Sequence, residues 1–559
     1  MMLSGTSSTY PASFELYEIT SPPSKDLDEV AESAESEIKL TPKKFIEELK
    51  NRTDFGHQKV YVSGDVNLAN FTELTLLPGN LSVGGYLDLG NCASLTSLPK
   101  NLNVRQDLKL RGCTGLTSLP RNLYVGRNLY LNDCIGLTSY PDEADVRGDL
   151  NFEGCRTLIS LPETLIVKGK MNLKSCRSLT SLPKKLSVSG SLNLRGCVGL
   201  SSLPNILSVE GDIDASYTGL TSLPEDLRVT GCLNLEGCID LTSLPKNLSF
   251  VEVLELNLTG CKGLTFLPEG FRFEGHLNLA NCTELTSLPD HLHVGRNLNL
   301  SGCTGLASLP EYLSVGGSLN LSRCTELSTL PGTLSVRRNL DLKDCTGITY
   351  LPSSQIVLGD LQLWGCTGLT SLPEHFRVGG SLNLRNCIGL TTLPENLSVK
   401  VSLDLEGCSR LISLPNNLSV GWNLYLIGCT NLVSLPADMK VQGDLNLRGC
   451  TGLTTLPESL RSVVGNLSLE GCTSLTLLPE NLFVRGSLNL SGCTSIKTLP
   501  ESLRVEGDLN LQNCAGLKRL WGLRLPKNLS LGGALTNVEG RREKLSVEGK
   551  RESDRCRVS

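Results

Sequence analysis

Twenty-two cysteines are the side chains here most able to do chemistry, and their spacing decides which chemistry that is. From Cys282 to Cys450 they recur every 21 residues, and the run from Cys92 to Cys197 keeps the same step. Twenty sit on this lattice; Cys232 and Cys556 do not. A metal site needs two to four converging ligands. One thiol per repeat, with no CxxC pair and no histidine partner, does not converge. Stacked repeats about 4.8 Å apart bring thiols within disulfide reach, but their side chains run parallel rather than towards each other. What remains is a small buried side chain whose S–H donates to a loop carbonyl. Phe71 takes the slot in the first copy and Tyr217 in a copy one residue short, as a structural slot tolerates.

The other reactive groups are scattered. Five histidines share no motif; His291 and His293 stand in the variable stretch after a proline, with no third ligand in view. The glycines recur at the repeat period, which marks turns rather than a nucleotide-binding loop. No cofactor is expected.

A fixed period near 21 residues means a solenoid, and 22 copies run from near residue 60 until they fade after residue 517. In SLNLRGC (191–197), Leu192 and Leu194 alternate with Ser191, Asn193 and Arg195, the pattern of a half-buried strand. Leu200, Leu203, Leu207 and Val209 complete the inward side. Pro204 has no N–H for a ladder, so the opposite wall is expected to be extended or a single turn rather than a strand or a long helix. Gly190 and Gly211 mark the turn back into the next strand. The fold class is therefore a repeat solenoid with a parallel β-sheet on one face.

The unit L-x-L-x-x-C-x-x-L-x-x-L-P-x-x-L resembles a leucine-rich repeat, with cysteine where asparagine is usual. Its short length and its Leu-Pro resemble the repeats of bacterial effector proteins. SLNLSGCTSIKTLPESL (487–503) also resembles those of plant intracellular immune receptors. The resemblance covers about residues 60–535 and implies a protein-binding scaffold. Some bacterial effectors of this type carry a C-terminal ubiquitin-ligase domain with a Cys-x-Asp nucleophile. Cys238-Ile239-Asp240 has those letters, but Cys238 is a lattice cysteine, and too few residues follow the last coil for such a domain. A plant-type nucleotide-binding domain would not fit in the residues before the array either. No enzyme activity is expected.

The chain divides into an acidic Ser/Thr/Pro-rich tail (1–40), a capping helix (41–59), the solenoid (60–535) and a charged tail (536–559). Residues 1–40 carry two lysines against eight carboxylates, and the whole chain is −5, so the array is nearly neutral and nucleic acid is not the expected partner. Low hydrophobicity makes both tails candidates for disorder, and a Ser/Thr-rich N-terminus resembles bacterial type III export signals. Thr41 as N-cap, Pro42 at the first helical position and the stripe Phe45, Ile46 and Leu49 suit a helix closing the array's raw end. Twenty unpaired thiols belong in a reducing compartment. With no Sec-type leader in the opening residues and no membrane-length apolar run, the expectation is a cytoplasmic protein, with a host cytoplasm reached by a non-Sec route as the alternative destination. The last four residues, Cys556-Arg557-Val558-Ser559, match a prenylation pattern in part, which makes Cys556 a lipidation candidate and membrane attachment conditional on it.

A scaffold acts through its surface. The outward residue between the two strand leucines is Asn in 13 coils and Asp in 4, a file expected to hydrogen-bond along itself. Departures carry the specificity: Lys109, Tyr130, Gln362, Tyr425 and Ser468, flanked by Arg111, Trp364, Arg385, Glu406, Ile427 and Arg448. Trp364, Tyr425 and Ile427, with Arg385 between them, fall within three coils, about 15 Å, and are residue types that anchor interfaces. The expected function is a monomeric protein-binding scaffold using its concave sheet, effector-like and directed at a host protein. The alternatives are an array recognising a repetitive surface such as a glycan, and a bacterial housekeeping scaffold.

Overall fold

In the computed structural model, the described residues are 37–51, 58–225, 227–246, 254–353, 356–374, 376–518 and 528–530. They form a parallel β-solenoid of 22 coils, the architecture expected of a leucine-rich repeat array. Each L-x-L segment contributes a two-residue strand. Leu192–Asn193 pairs with Ile213–Asp214 ahead of it and with Met171–Asn172 behind, all in parallel. Repeated coil after coil, this gives one open sheet from Val66–Asn67 to Leu529–Ser530. Its leucines are buried in a continuous core with the valines of the preceding segment.

The opposite wall departs from expectation. The L-x-V segments are strands as well: Lys185–Val188 pairs in parallel with Thr164–Val167 and Ile206–Val209. They make four shorter sheets of six, four, nine and three strands. Proline bars only the T-S-L-P segment; the L-x-V residues that follow keep their N–H groups and pair. Even the T-S-L-P wall is tied from coil to coil, as in Ile159 N–H to Thr138 O at 2.9 Å and Thr476 N–H to Thr454 O at 3.0 Å. All three walls are thus hydrogen-bonded from coil to coil, more closely along the L-x-L sheet, as in Leu194 N–H to Asp214 O at 2.6 Å, than along most of the T-S-L-P wall, as in Thr138 N–H to Thr117 O at 3.4 Å.

The corner after each L-x-L strand explains the cysteine. The residue before it has positive φ in all 22 coils, at twelve of them glycine (Gly196, φ 73°). The thiol then turns inward and donates to the second strand leucine of the preceding coil: Cys197 Sγ to Leu173 O, 3.0 Å, and Cys345 Sγ to Leu321 O, 3.0 Å. That carbonyl also accepts its own coil's cysteine N–H, Cys176 N to Leu173 O at 3.0 Å. In the short coil the slot belongs to Thr218, not Tyr217. Tyr217 holds the positive-φ position (57°) with its ring exposed, while Thr218 is buried and its hydroxyl donates to Ala215 O at 2.7 Å. The missing residue comes from the loop after the slot.

Left-handed backbone costs an ordinary L-residue about 1–2 kcal/mol. Arg323 occupies the corner at φ 62°, whereas Gly449 is at 70° with nothing nearer its would-be Cβ than Gly428, 3.8 Å away. Arg323→Gly should therefore stabilise the array by about 1 kcal/mol and Gly449→Ala destabilise it by a similar amount. Urea titration of both variants checks the pair; shifts of the same sign would remove the argument.

The Asn/Asp file serves chiefly the turn rather than a ladder. Every one of its 17 Asn and Asp residues accepts, through Oδ1, the N–H two residues on, as in Arg195 N to Asn193 Oδ1 at 3.0 Å and Glu406 N to Asp404 Oδ1 at 2.9 Å. Such Asx turns end each strand after two residues. Bonds along the file occur, for example Asn257 Nδ2 to Asn234 Oδ1 at 3.0 Å, but the continuous side-chain ladder lies two residues earlier. There each side chain accepts the next coil's N–H, unbroken from Asn297 through Ser318, Asn339 and Asp360 to Asp508.

At the N-terminal end a helix (Pro42–Asn51) covers the first coil, with Phe45 fully buried. Thr41 caps it: its Oγ1 accepts Lys44 N–H at 3.4 Å and its carbonyl accepts Phe45 N–H at 2.9 Å. Glu37–Leu40, assigned to the tail on sequence, is instead a strand paired with Lys59–Val62. Exposed strand-competent N–H groups at the array's end favour one more partner.

Candidate interaction surface

Strand alternation aims the residue between the leucines, and those two positions either side, out of the L-x-L sheet. All four residues singled out in the sequence lie there. Trp364 and Arg385 are exposed, Trp364 at 39%. Tyr425, on the strand Leu424–Tyr425, and Ile427, in the turn that follows, are half-buried, and the Tyr425 hydroxyl accepts a hydrogen bond from Asn423 Nδ2 at 2.8 Å, fixing the ring. Arg385 is not a free cation: its Nη2 lies 2.8 Å from Glu406 Oε1. This pair sits between Trp364 and the Tyr425/Ile427 coil, which register places three coils apart.

Sequence reasoning missed Trp422. It is 60% exposed in the turn leading into the Tyr425 strand, beside Val401, the equivalent turn residue one coil earlier, which is also exposed. The signal was present, because other coils place glycine at this turn position (Gly359, Gly380, Gly443).

A second concentration of departures lies near the N-terminal end. Lys109 and Tyr130 replace the Asx residue in consecutive coils and line a shallow cavity of about 480 Å³ with Arg111, Asp88 and Asn132. Lys109 Nζ sits 4.9 Å over the Tyr86 ring and 3.9 Å from Asp88. Asn128 Nδ2 donates to the Tyr130 hydroxyl at 3.2 Å, as Asn423 does to Tyr425.

The reactive groups are arranged for structure. All twenty lattice thiols are buried and free. Burial pushes them up from the usual value, to about 11 at Cys197 and about 12 at Cys113. Cys238, of the Cys-x-Asp triplet, is fully buried, bonded to Ala215 O at 3.2 Å, and likewise raised by burial, the reverse of an activated thiolate. His291 stacks on Tyr312 at 4.8 Å, and His293 lies 3.8 Å from Glu274. Among the described residues no three His, Cys, Asp or Glu side chains converge as metal ligands, and no helix is long and apolar enough to cross a membrane. Cys556 lies outside the described residues.

Against known proteins the chain is similar to two solved repeat structures. One is a leucine-rich repeat protein from Bacteroides ovatus, 17% identical, covering 67% of this chain and 86% of that one, with a TM-score of 0.28. The other is YopM from Yersinia enterocolitica, 19% identical, covering 89% and 93%, with a TM-score of 0.23. The likeness is one of stacked repeats. No family model and no curated protein matches the chain.

Proposed function

We propose that the protein is a non-enzymatic scaffold that binds a protein partner through the outer surface of its L-x-L sheet, at Trp364, Tyr425 and Ile427 with Trp422 at the border. The observation that carries this reading is Tyr425. Every Asn and Asp of the file makes the turn-closing bond, and at this coil the chain forgoes it for an oriented aromatic ring beside two further large apolar groups. Oriented aromatics that cost little entropy to hold are what interface hot spots use. The effector-like reading, with a host protein as partner, rests on the sequence resemblance and on the reducing compartment that buried free thiols suit.

The test is capture from eukaryotic and from bacterial lysates under reducing conditions, comparing the intact chain with Trp364→Ala/Tyr425→Ala/Ile427→Ala. Each hot-spot truncation is worth about 2 kcal/mol, roughly 30-fold in affinity, so the triple variant should capture nothing while its circular dichroism is unchanged. Equal capture by both forms would sink the patch. Capture only from bacterial lysate would leave a scaffold without a host role.

A second reading has its own support. Exposed threonines of the T-S-L-P wall are tied from coil to coil, for example Thr138 to Thr117 and Thr370 to Thr349, a spacing that suits a repetitive ligand such as a glycan. Binding to an insoluble polysaccharide that survives the triple substitution would favour it.

A further inference from the structure

The array is nearly neutral as a whole, yet one side of it is strongly bipolar. Take the outward positions of the L-x-L strands together with the turn residues that border them. From coil 3, which begins at Arg105, to coil 7, which ends at Arg195, these positions hold nine lysines and arginines against three carboxylates. From coil 8, beginning at Glu210, to coil 11 and its Glu274, the described ones hold six carboxylates and no lysine or arginine. The balance is +6 followed at once by −6.

The chain itself consumes little of this charge. Of the nine cations, Lys109, Arg147 and Lys174 pair with Asp88, Asp145 and Glu153. The other six, Arg105, Arg111, Arg127, Lys168, Lys170 and Arg195, are exposed and have no carboxylate within 4 Å among the described residues. In the acidic block Glu210, Asp212, Glu255 and Glu274 are exposed. Holding like charges side by side costs free energy unless something opposite covers them.

We propose that this side is the interface of an antiparallel homodimer, with a two-fold axis passing between coils 7 and 8. A two-fold is the symmetry that brings a bipolar face onto its own copy with every block opposite its complement. This two-fold keeps strand direction, so like columns meet: Lys174 of coil 6 faces Glu236 of coil 9, Lys168 and Lys170 lie one rung from the partner's Glu210 and Asp212, and Arg127 of coil 4 meets the neighbouring column of coil 11 at Glu274. One rung sets like signs together: coil 5, where Asp149 and Glu153 offset Arg147, opposite coil 10 and its Glu255. Coils 4 to 11 supply eight such rungs. Eight rungs span about 38 Å, and at about 20 Å of width the contact is about 760 Å² per partner, near the size of an ordinary stable interface. Its contacts are polar and charged, so association depends on ionic strength. The Trp364 to Ile427 surface begins at coil 15 and stays open in the dimer. This departs from the monomer expected on sequence.

Sedimentation of the full chain in reductant, up to about 100 µM and at about 50 mM and 500 mM salt, tests the interface. Wild type should be a dimer at low salt and a monomer at high salt. Two variants reverse one block each: Lys168→Glu/Lys170→Glu/Arg195→Glu, and Glu210→Lys/Glu236→Lys/Glu255→Lys. Each alone should lose at least 100-fold in self-association at unchanged circular dichroism, and an equimolar mixture of the two should restore a heterodimer. A wild-type monomer at low salt overturns the proposal and leaves the bipolar side to another protein. A dimer that survives in both variants overturns it equally, placing self-association elsewhere.

Discussion

Raised from pH 8 to pH 10 in reducing buffer, the array is expected to unfold abruptly, with the loss beginning just above pH 8. The cause is twenty buried thiols whose folded values lie well above the usual 9.0, about 11 at Cys197, about 12 at Cys113 and Cys155, and shifted the same way at the rest. Between the unfolded and folded values the native chain keeps protons that the unfolded chain releases. Stability is therefore fully present well below pH 9 and falls as pH rises towards the folded values. Each of the seventeen thiols pushed up to about 11 or higher contributes about 0.4 kcal/mol of loss at pH 9 and about 1.4 at pH 10, so together they remove on the order of 7 and then 24 kcal/mol. Few arrays could withstand the second figure. Melting temperatures from pH 7 to 10 check it. A variant with five lattice cysteines replaced by threonine, as Thr218 does naturally, should lose its fold less steeply. A flat melting temperature up to pH 10 would show that the thiols do not govern the alkaline limb.

That expectation follows from a feature half legible in the sequence. The 21-residue step, the inward leucines and the structural part of the cysteines could all be read, because period and alternation report burial directly. The second strand series could not. Proline bars pairing at its own position only, and the L-x-V residues a few positions on keep the N–H groups that pair. Tyr217 was misplaced by one residue because counting cannot say which residue of a short coil is missing; the positive φ at that position settles it. The turn-closing role of the Asn file was hidden for a different reason. An Asx turn and an inter-coil ladder ask for the same residue types, and only the acceptor geometry separates them. For the interaction surface, Trp364 and Tyr425 were visible as departures on a strand, whereas Trp422 was missed because attention stayed on strand positions and a turn glycine replaced by tryptophan was not counted as one.

Phe152→Ala should be the most damaging single core substitution in the N-terminal third. The coil between Cys134 and Cys155 departs from the repeat at three core positions, two of them buried and one, Ala144, partly buried. Ala144 stands where neighbouring coils have Leu123 and Leu165, while Tyr140 and Phe152 replace leucines. The two rings meet edge to face, centroids 5.5 Å apart at 85°, with Phe152 fully buried and Tyr140 nearly so. Two large side chains thus fill the volume the short alanine leaves. Removing the Phe152 ring opens a cavity that Ala144 cannot close, at a cost of about 3–5 kcal/mol, whereas Phe152→Leu loses little volume and should cost about 1.5 kcal/mol or less. The backbone bond from Cys176 Sγ to Phe152 O, 3.2 Å, is the same in either variant, so the difference isolates packing. Because each coil touches only its neighbours, the damage should stay local. Hydrogen exchange is expected to speed up in the coils from Cys92 to Cys176 and to be unchanged beyond Cys282, and urea unfolding should split into two steps. Adding Ala144→Leu to Phe152→Leu should recover most of the loss, since the pair restores the usual leucines. Uniform acceleration along the whole chain would mean that the array unfolds as one cooperative body, and the nearest-neighbour picture would fail with it.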